Sequence, residues 1–127
     1  MRITLDHPHI FASDLESTVS FFRAMFGATL VWDEDAAGAR CVRLALGRAF
    51  IHVYDQPPKG RKGVVHHLGI ETDDLDELVE RMKAQGFRFR NRVRDEPGFR
   101  YVMVSGPDEL LIELFEAKEP ERWNIER

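Results

Sequence analysis

His7 and His67 are 60 residues apart, and each opens a copy of the same short segment. His7-Pro8-His9-Ile10-Phe11-Ala12-Ser13-Asp14-Leu15 is echoed by His67-Leu68-Gly69-Ile70-Glu71-Thr72-Asp73-Asp74-Leu75. A second pair, His52 and Glu113, is 61 residues apart, almost the same offset. Neutral imidazole nitrogens and a carboxylate are the donors that a borderline divalent cation takes. Any one of these histidines alone reads as an exposed or structural side chain. Two pairs obeying one repeat read as a metal site.

The elements that must position them follow from periodicity. In each copy a strand runs into an Asp-capped helix. Ser13-Asp14 precedes Leu15, Val19, Phe22 and Phe26 at helical spacing, closed by Gly27. Asp73-Asp74 precedes Leu75, Leu78, Val79 and Met82, closed by Gly86. Strands are predicted over 5–12, 29–32, 41–46 and 49–54, then over 65–72, 87–93, 101–104 and 110–115. Turns fall at Asp33 to Gly38, Gly47-Arg48, Glu96-Pro97-Gly98 and Gly106-Pro107-Asp108. The order is βαβββ twice, broken by Pro57-Pro58-Lys59-Gly60. Pro8 cannot donate to a ladder, so the first strand belongs at an edge or seam.

Alternation along strands assigns faces. Leu110, Ile112 and Leu114 take the side a helix covers, leaving Glu113 opposite with Leu111 and Phe115. Ile51 and Val53 do the same, leaving His52 between Phe50 and Tyr54. Leu68 and Ile70 leave His67 opposite, and Pro8, Ile10 and Ala12 leave His7, His9 and Phe11. The non-helix faces thus collect histidines and a glutamate. A glutamate flanked there by Leu111 and Phe115 is costly unless it is paired or ligating. Arg43, Phe50, Tyr54, Tyr101 and Met103 share this parity and are candidate substrate-binding residues, Arg43 for an anionic group.

The bulk composition narrows the class. The chain has 127 residues, 43% hydrophobic and 31% charged, enough for one ordinary domain with a real core. Its formal net charge of −4 argues against nucleic-acid or anionic-membrane partners. The basic stretch from Arg88 to Arg100, diluted by Asp95 and Glu96, reads as a solvated rim. With one cysteine, Cys41, no intrachain disulfide forms, and a reducing, cytoplasmic location is expected. No secretory signal or membrane span is read in the sequence. Cys41 reads as a small buried strand residue rather than a nucleophile. The charged tail from about Ala117 is expected to be held by Trp123 and Ile125, if at all.

These motifs resemble the vicinal oxygen chelate superfamily, the glyoxalase / bleomycin-resistance / extradiol-dioxygenase group. The likeness spans about residues 3–116 and rests on the paired modules and the openings Leu5-Asp6-His7 and His67-Leu68-Gly69-Ile70. The helix caps and the closing Ile112-Glu113-Leu114 carry the rest of it. It implies an α+β fold, with two βαβββ modules as paired, cupped mixed sheets and the helices outside. One domain is expected over 1–127, with modules at about 3–56 and 63–116 and a tail over 117–127. It also implies one divalent ion per site (Ni, Zn, Co, Mn or Fe) on His7, His52, His67 and Glu113. His9 rivals His7, and the 60-residue offset favours His7. A homodimer with metal sites at its interface is expected, each site drawing ligands from both subunits.

The activity implied is that of glyoxalase I. The metal chelates vicinal oxygens of a small substrate and Glu113 moves a proton through an enediolate, giving isomerase or lyase chemistry. The alternatives are an Fe(II) extradiol-type dioxygenase and a non-catalytic small-molecule or antibiotic-binding resistance protein. The chain departs from the family's patterns in places. Glyoxalase I enzymes commonly carry Glu or Gln where His52 stands. The additional catalytic glutamate of methylmalonyl-CoA epimerases has no match near Arg40 to Val42. The loop and C-terminal features of fosfomycin-modifying members are not apparent.

Overall fold

Helix α1, Leu15–Phe26, starts where Asp14 turns extended and its carboxylate accepts from the Ser17 N–H at 3.1 Å. It stops at Gly27, whose φ of 70° is the left-handed conformation a glycine reaches without strain. A computed structural model describes residues 1, 6–36, 38–58, 67–123 and 125. The predicted strand ends at Leu5 and at 65–66, and the linker residues Lys59 and Gly60, lie outside the described residues. The chain divides into two compact units, Met1–Arg61 and Lys62–Arg127.

In the first unit, β1 (His9–Phe11), β2 (Thr29–Ala36), β3 (Ala39–Leu46) and β4 (Ala49–Tyr54) form a sheet in the order β1-β4-β3-β2. β1 runs parallel to β4, and the other pairs are antiparallel. β1 is shorter than the predicted 5–12. The pairing nevertheless extends past both its ends: the Pro8 carbonyl accepts from His52 N at 3.1 Å, and Ala12 N donates to Tyr54 at 2.9 Å. Pro8 lies on an edge strand's approach, where its missing N–H costs nothing.

β2 runs four residues beyond the predicted 29–32, so Asp33 to Ala36 is strand rather than turn. Its acidic side chains look like loop chemistry, yet Asp33 accepts two bonds from Arg40 on β3, at 2.9 and 2.7 Å. Arg40 also reaches Glu16 on α1 at 2.7 Å. The buried face of α1 is Leu15, Thr18, Phe21, Phe22 and Met25, with Val19 and Phe26 only half-buried. The face is rotated from the predicted stripe because adjacent Phe21 and Phe22 both turn inward, with edge-on rings 5.3 Å apart. Val42, Leu44, Ile51 and Val53 cover the sheet's inner side, each at most 4% exposed. Cys41 is buried as well.

The second unit repeats the plan. β5 (Leu68–Glu71), β6 (Arg94–Asp95), β7 (Phe99–Ser105) and β8 (Leu111–Ala117) are ordered β5-β8-β7-β6, with β5 parallel to β8. Helix α2 (Leu75–Ala84) is capped by Asp74 and buries Leu75, Leu78, Val79 and Met82, as the periodicity predicts. The predicted strand over 87–93 is absent, and only Arg94 and Asp95 pair with β7. Phe87 and Phe89 are half-buried while Arg88 and Arg90 are exposed. Alternation there reports burial without ladder hydrogen bonds. In the tail, a short 3-10 turn over Pro120–Trp123 sets the Trp123 ring 5.4 Å from both Phe99 and Phe115.

Candidate metal centre

β4 carries His52 on the face away from α1, and the chain entering β1 brings His7 onto it. The two imidazoles stack with centroids 3.6 Å apart and planes 13° from parallel. Asp6 joins them: its Oδ2 is 2.8 Å from His7 Nδ1, and donor atoms of Asp6, His7 and His52 all lie within 4.8 Å of one another. Arg43 stands directly across the β3–β4 ladder from His52. Its Nη1 donates to Asp6 Oδ2 at 2.7 Å and Nη2 donates to Oδ1 at 3.1 Å, while the guanidinium lies 3.9 Å over Phe50. Trp32 meets His52 edge-on at 5.2 Å.

Arg43 Nη1 also lies 2.8 Å from His52 Nε2. Guanidinium can only donate, so Nε2 accepts and the imidazole is neutral with its proton on Nδ1. Burial holds the His52 pKa below its ordinary value, and the charges of His7 and Arg43 add to this. Neutral imidazole is the ligating form. The lone pair Arg43 now engages is the one a metal would take. Arg43 in turn holds the Asp6 carboxyl well below the usual range, with His7 contributing. Two imidazoles gathered this closely are donors that fit a borderline divalent ion, and the Asp6 carboxylate beside them is taken up by His7 and Arg43.

His9 takes a different course. It registers opposite His52 but stacks on Tyr54, 3.9 Å away and 9° from parallel. Burial and the neighbouring His7 lower its pKa. Burial likewise raises that of Tyr54. Of the two first-strand rivals, His7 is the one against the His52 ring.

The second unit holds a corresponding pair. β8 turns Glu113 to the same face as Leu111 and Phe115, and His67 immediately precedes β5. His67 Nε2 and Glu113 Oε2 are 3.8 Å apart, with the side chains 34% and 23% exposed. Met103 lies across the ladder from Glu113, as Arg43 does from His52, and Tyr101 lies across from Phe115. Tyr101 stacks on Phe99 at 5.4 Å. Gly69 registers with Glu113, where the first unit has His9 opposite His52.

Asp6 is the site residue that residue-by-residue reading misses. Adjacency to His7 was its only signal, because its second partner, Arg43, is 37 residues away and is brought over only by the sheet.

Two βαβββ units, each with a histidine-bearing pair on its open sheet face, define a class of small α+β proteins built from paired modules. The chain belongs to the glyoxalase/bleomycin resistance protein/dioxygenase superfamily, whose sequence profile matches residues 4–114. Similar solved structures include the genomically encoded fosfomycin resistance protein FosX from Listeria monocytogenes, with 21% identity and a TM-score of 0.78 over 96% of this chain and 99% of that one. FosX from Mesorhizobium loti is 22% identical, with a TM-score of 0.74 over 98% of this chain and 99% of that one. The antibiotic-binding protein TnmS3 from Streptomyces sp. CB03234 is 25% identical, with a TM-score of 0.76 over 93% and 99%. A mutant of the Listeria protein is complexed with Mn(II) and 1S,2S-dihydroxypropylphosphonic acid. Among the described residues of this chain, no helix is long and apolar enough to cross a membrane.

Proposed function

We propose that this chain is a divalent-metal-dependent enzyme acting on a small molecule that presents two neighbouring oxygens and an anionic group. The observation that supports it best is the stacking of His7 on His52 at 3.6 Å with Arg43 alongside. The proposed ligands are His7, His52, His67 and Glu113, holding one ion per site. The proposed assembly is a homodimer in which one subunit supplies the first pair and its partner the second. Bound there, the ion supplies Lewis-acid polarisation of the substrate's adjacent oxygens.

The chain's own groups do the rest. Glu113, half-buried between Leu111 and Phe115, is the proposed base, shifting between ligand and carrier of the proton on the carbon beside those oxygens. Arg43 is a permanent cation, flattened on Phe50 and braced by Asp6, and binds the anionic group. Phe50, Tyr54, Tyr101 and Met103 share these open faces and exclude water from the substrate. The reaction proposed is a glyoxalase I-like proton-transfer isomerisation or lyase step. FosX, complexed with a vicinal diol that is also a phosphonate, supports the pairing of adjacent oxygens with an anion. The likeness to TnmS3 favours a second reading, an antibiotic binder without turnover.

Elemental analysis of protein purified without chelators tests this. Near-stoichiometric metal is expected in the wild type, falling in His52→Ala and Glu113→Gln. Full occupancy in both variants refutes the ligand set, and a metal-free wild type supports the binder. Hemithioacetals, acyl-CoA thioesters, catechols and fosfomycin form the substrate screen. Oxygen-dependent turnover of catechols by an Fe(II) form would replace the isomerase reading with a dioxygenase. Light scattering on the eluting protein decides the dimer.

A further inference from the structure

We propose that Asp6 is a positioning residue that fixes which nitrogen of His7 faces the metal and ties that histidine to Arg43. This rests on the metal-centre reading above and adds a residue to it. The His7 side chain is 32% exposed and attached to chain that precedes the first strand, and its stacking on His52 sets the plane of the ring but not which nitrogen carries the proton. A neutral imidazole ligates through whichever nitrogen lacks the proton, and the hydrogen bond at the other nitrogen selects it. Asp6 Oδ2, 2.8 Å from Nδ1, places the proton there and leaves Nε2 as the donor.

The same carboxylate is fully engaged. Oδ2 also accepts from Arg43 Nη1 at 2.7 Å and Oδ1 accepts from Nη2 at 3.1 Å. A carboxylate with both oxygens committed to a guanidinium and an imidazole N–H is a brace rather than a vacant ligand. Because Arg43 Nη1 reaches on to His52 Nε2 at 2.8 Å, the chain of bonds His7–Asp6–Arg43–His52 closes around two rings that also stack. Each contact holds the next, so Asp6 orders the pair before any ion arrives. The second module does not repeat the device in sequence: the residue 60 positions after Asp6 is His66, not a carboxylate. The brace belongs to the first pair.

The test uses the full-length protein with Asp6→Ala, Asp6→Asn and Arg43→Met variants. Long-range ¹H–¹⁵N spectra of metal-free, histidine-labelled protein at mildly alkaline pH read the His7 tautomer. The wild type is expected to carry the proton on Nδ1, and Asp6→Ala to move it toward Nε2. Zn(II) titration against a competing chromophoric chelator is expected to show affinity about 10–100-fold weaker in Asp6→Ala, the usual cost of losing an outer-shell partner. Asp6→Asn, which keeps an acceptor, should fall between. Arg43→Met should keep the Nδ1 proton, and adding Asp6→Ala to it should still weaken Zn(II) binding.

An unmoved His7 tautomer in Asp6→Ala overturns the proposal. So does an Asp6→Ala effect that vanishes in the Arg43→Met background, which would mean that Asp6 acts only on Arg43. Loss of a ligand band from the Co(II) spectrum of Asp6→Ala, with the tautomer unchanged, would instead make Asp6 a ligand. If the wild type binds no Zn(II), the metal-centre reading fails on its own, and the tautomer spectra still judge Asp6.

Discussion

Gly69→Ala should stabilise the protein. Gly69 sits in β5, in register with Glu113, where the first module places His9. Its backbone is outside the left-handed region, so the fold does not need a glycine there for conformational reasons. A methyl group at this position would meet Phe115 Cε1 at 3.6 Å, an ordinary van der Waals separation. The substitution therefore adds no clash and little burial, since Gly69 is exposed. What it changes is the unfolded chain, which loses freedom it no longer has to give up on folding. That is worth about 0.4–1 kcal/mol. If Lys62–Arg127 melts as its own unit this corresponds to a rise in Tm of roughly 2–8 °C, and a smaller rise if the whole chain melts together. Thermal unfolding followed by far-ultraviolet circular dichroism, supported by calorimetry, reads it directly. A fall in Tm would refute the reasoning, because it would show that something on this face requires the missing side chain. Unchanged Zn(II) affinity is expected alongside the gain.

Three further outcomes are expected. Thr18 is 2% exposed on the buried face of α1, and its hydroxyl has no hydrogen-bond partner among the described residues. Thr18→Val removes that unsatisfied group at nearly constant shape and should raise unfolding stability in urea by about 1 kcal/mol. Glu109 has a φ of 59° in the turn entering β8. Glu109→Gly relieves about 1–2 kcal/mol of left-handed strain against about 0.5–1 lost to chain entropy, so a small net gain is expected in the same assay. The Asp76 carboxyl is held below its ordinary pKa by its hydrogen bonds to Arg100. A depressed carboxylate stabilises above the usual carboxylate range and loses that contribution as pH falls through its folded pKa. The stability difference between wild type and Asp76→Asn should therefore shrink on acidification; urea midpoints across the acid range would show it, and a constant gap would refute it.

How far the sequence could be read depended on the range of the interaction involved. The α2 stripe and its Asp74 cap are local, and both appear as predicted. The β4 bounds, Ala49–Tyr54, also match, because Gly47-Arg48 fixes the turn before them. Face parity carried the site furthest: a period of two puts His52 and Glu113 on open faces without any knowledge of neighbours. Failures came where a distant partner decides the outcome. Asp33 to Ala36 is strand because it pairs with Ala39 to Val42 on the next strand, where Arg40 takes up the Asp33 carboxylate, and 87–93 is not strand although it alternates. The Asp6–Arg43–His52 chain belongs to the same category. Arg43 has the parity of a substrate-binding residue, but its cross-strand position against His52, and thus its grip on Nε2, is a property of the register. The offset between the repeats favours His7 over His9; the two rings differ in their neighbours, His7 stacking on His52 and His9 on Tyr54.

The chain's two tryptophans are divided one to each compact unit. Trp32 lies edge-on to His52, and Trp123 lies against Phe99 and Phe115. The protein's intrinsic emission is therefore already partitioned. Trp123→Phe leaves a single fluorophore beside the imidazole pair, and Trp32→Phe leaves one over the aromatic face of the second sheet. Each half can then be watched separately, so that whether the duplicated halves melt as one cooperative body or as two becomes a question for a fluorimeter.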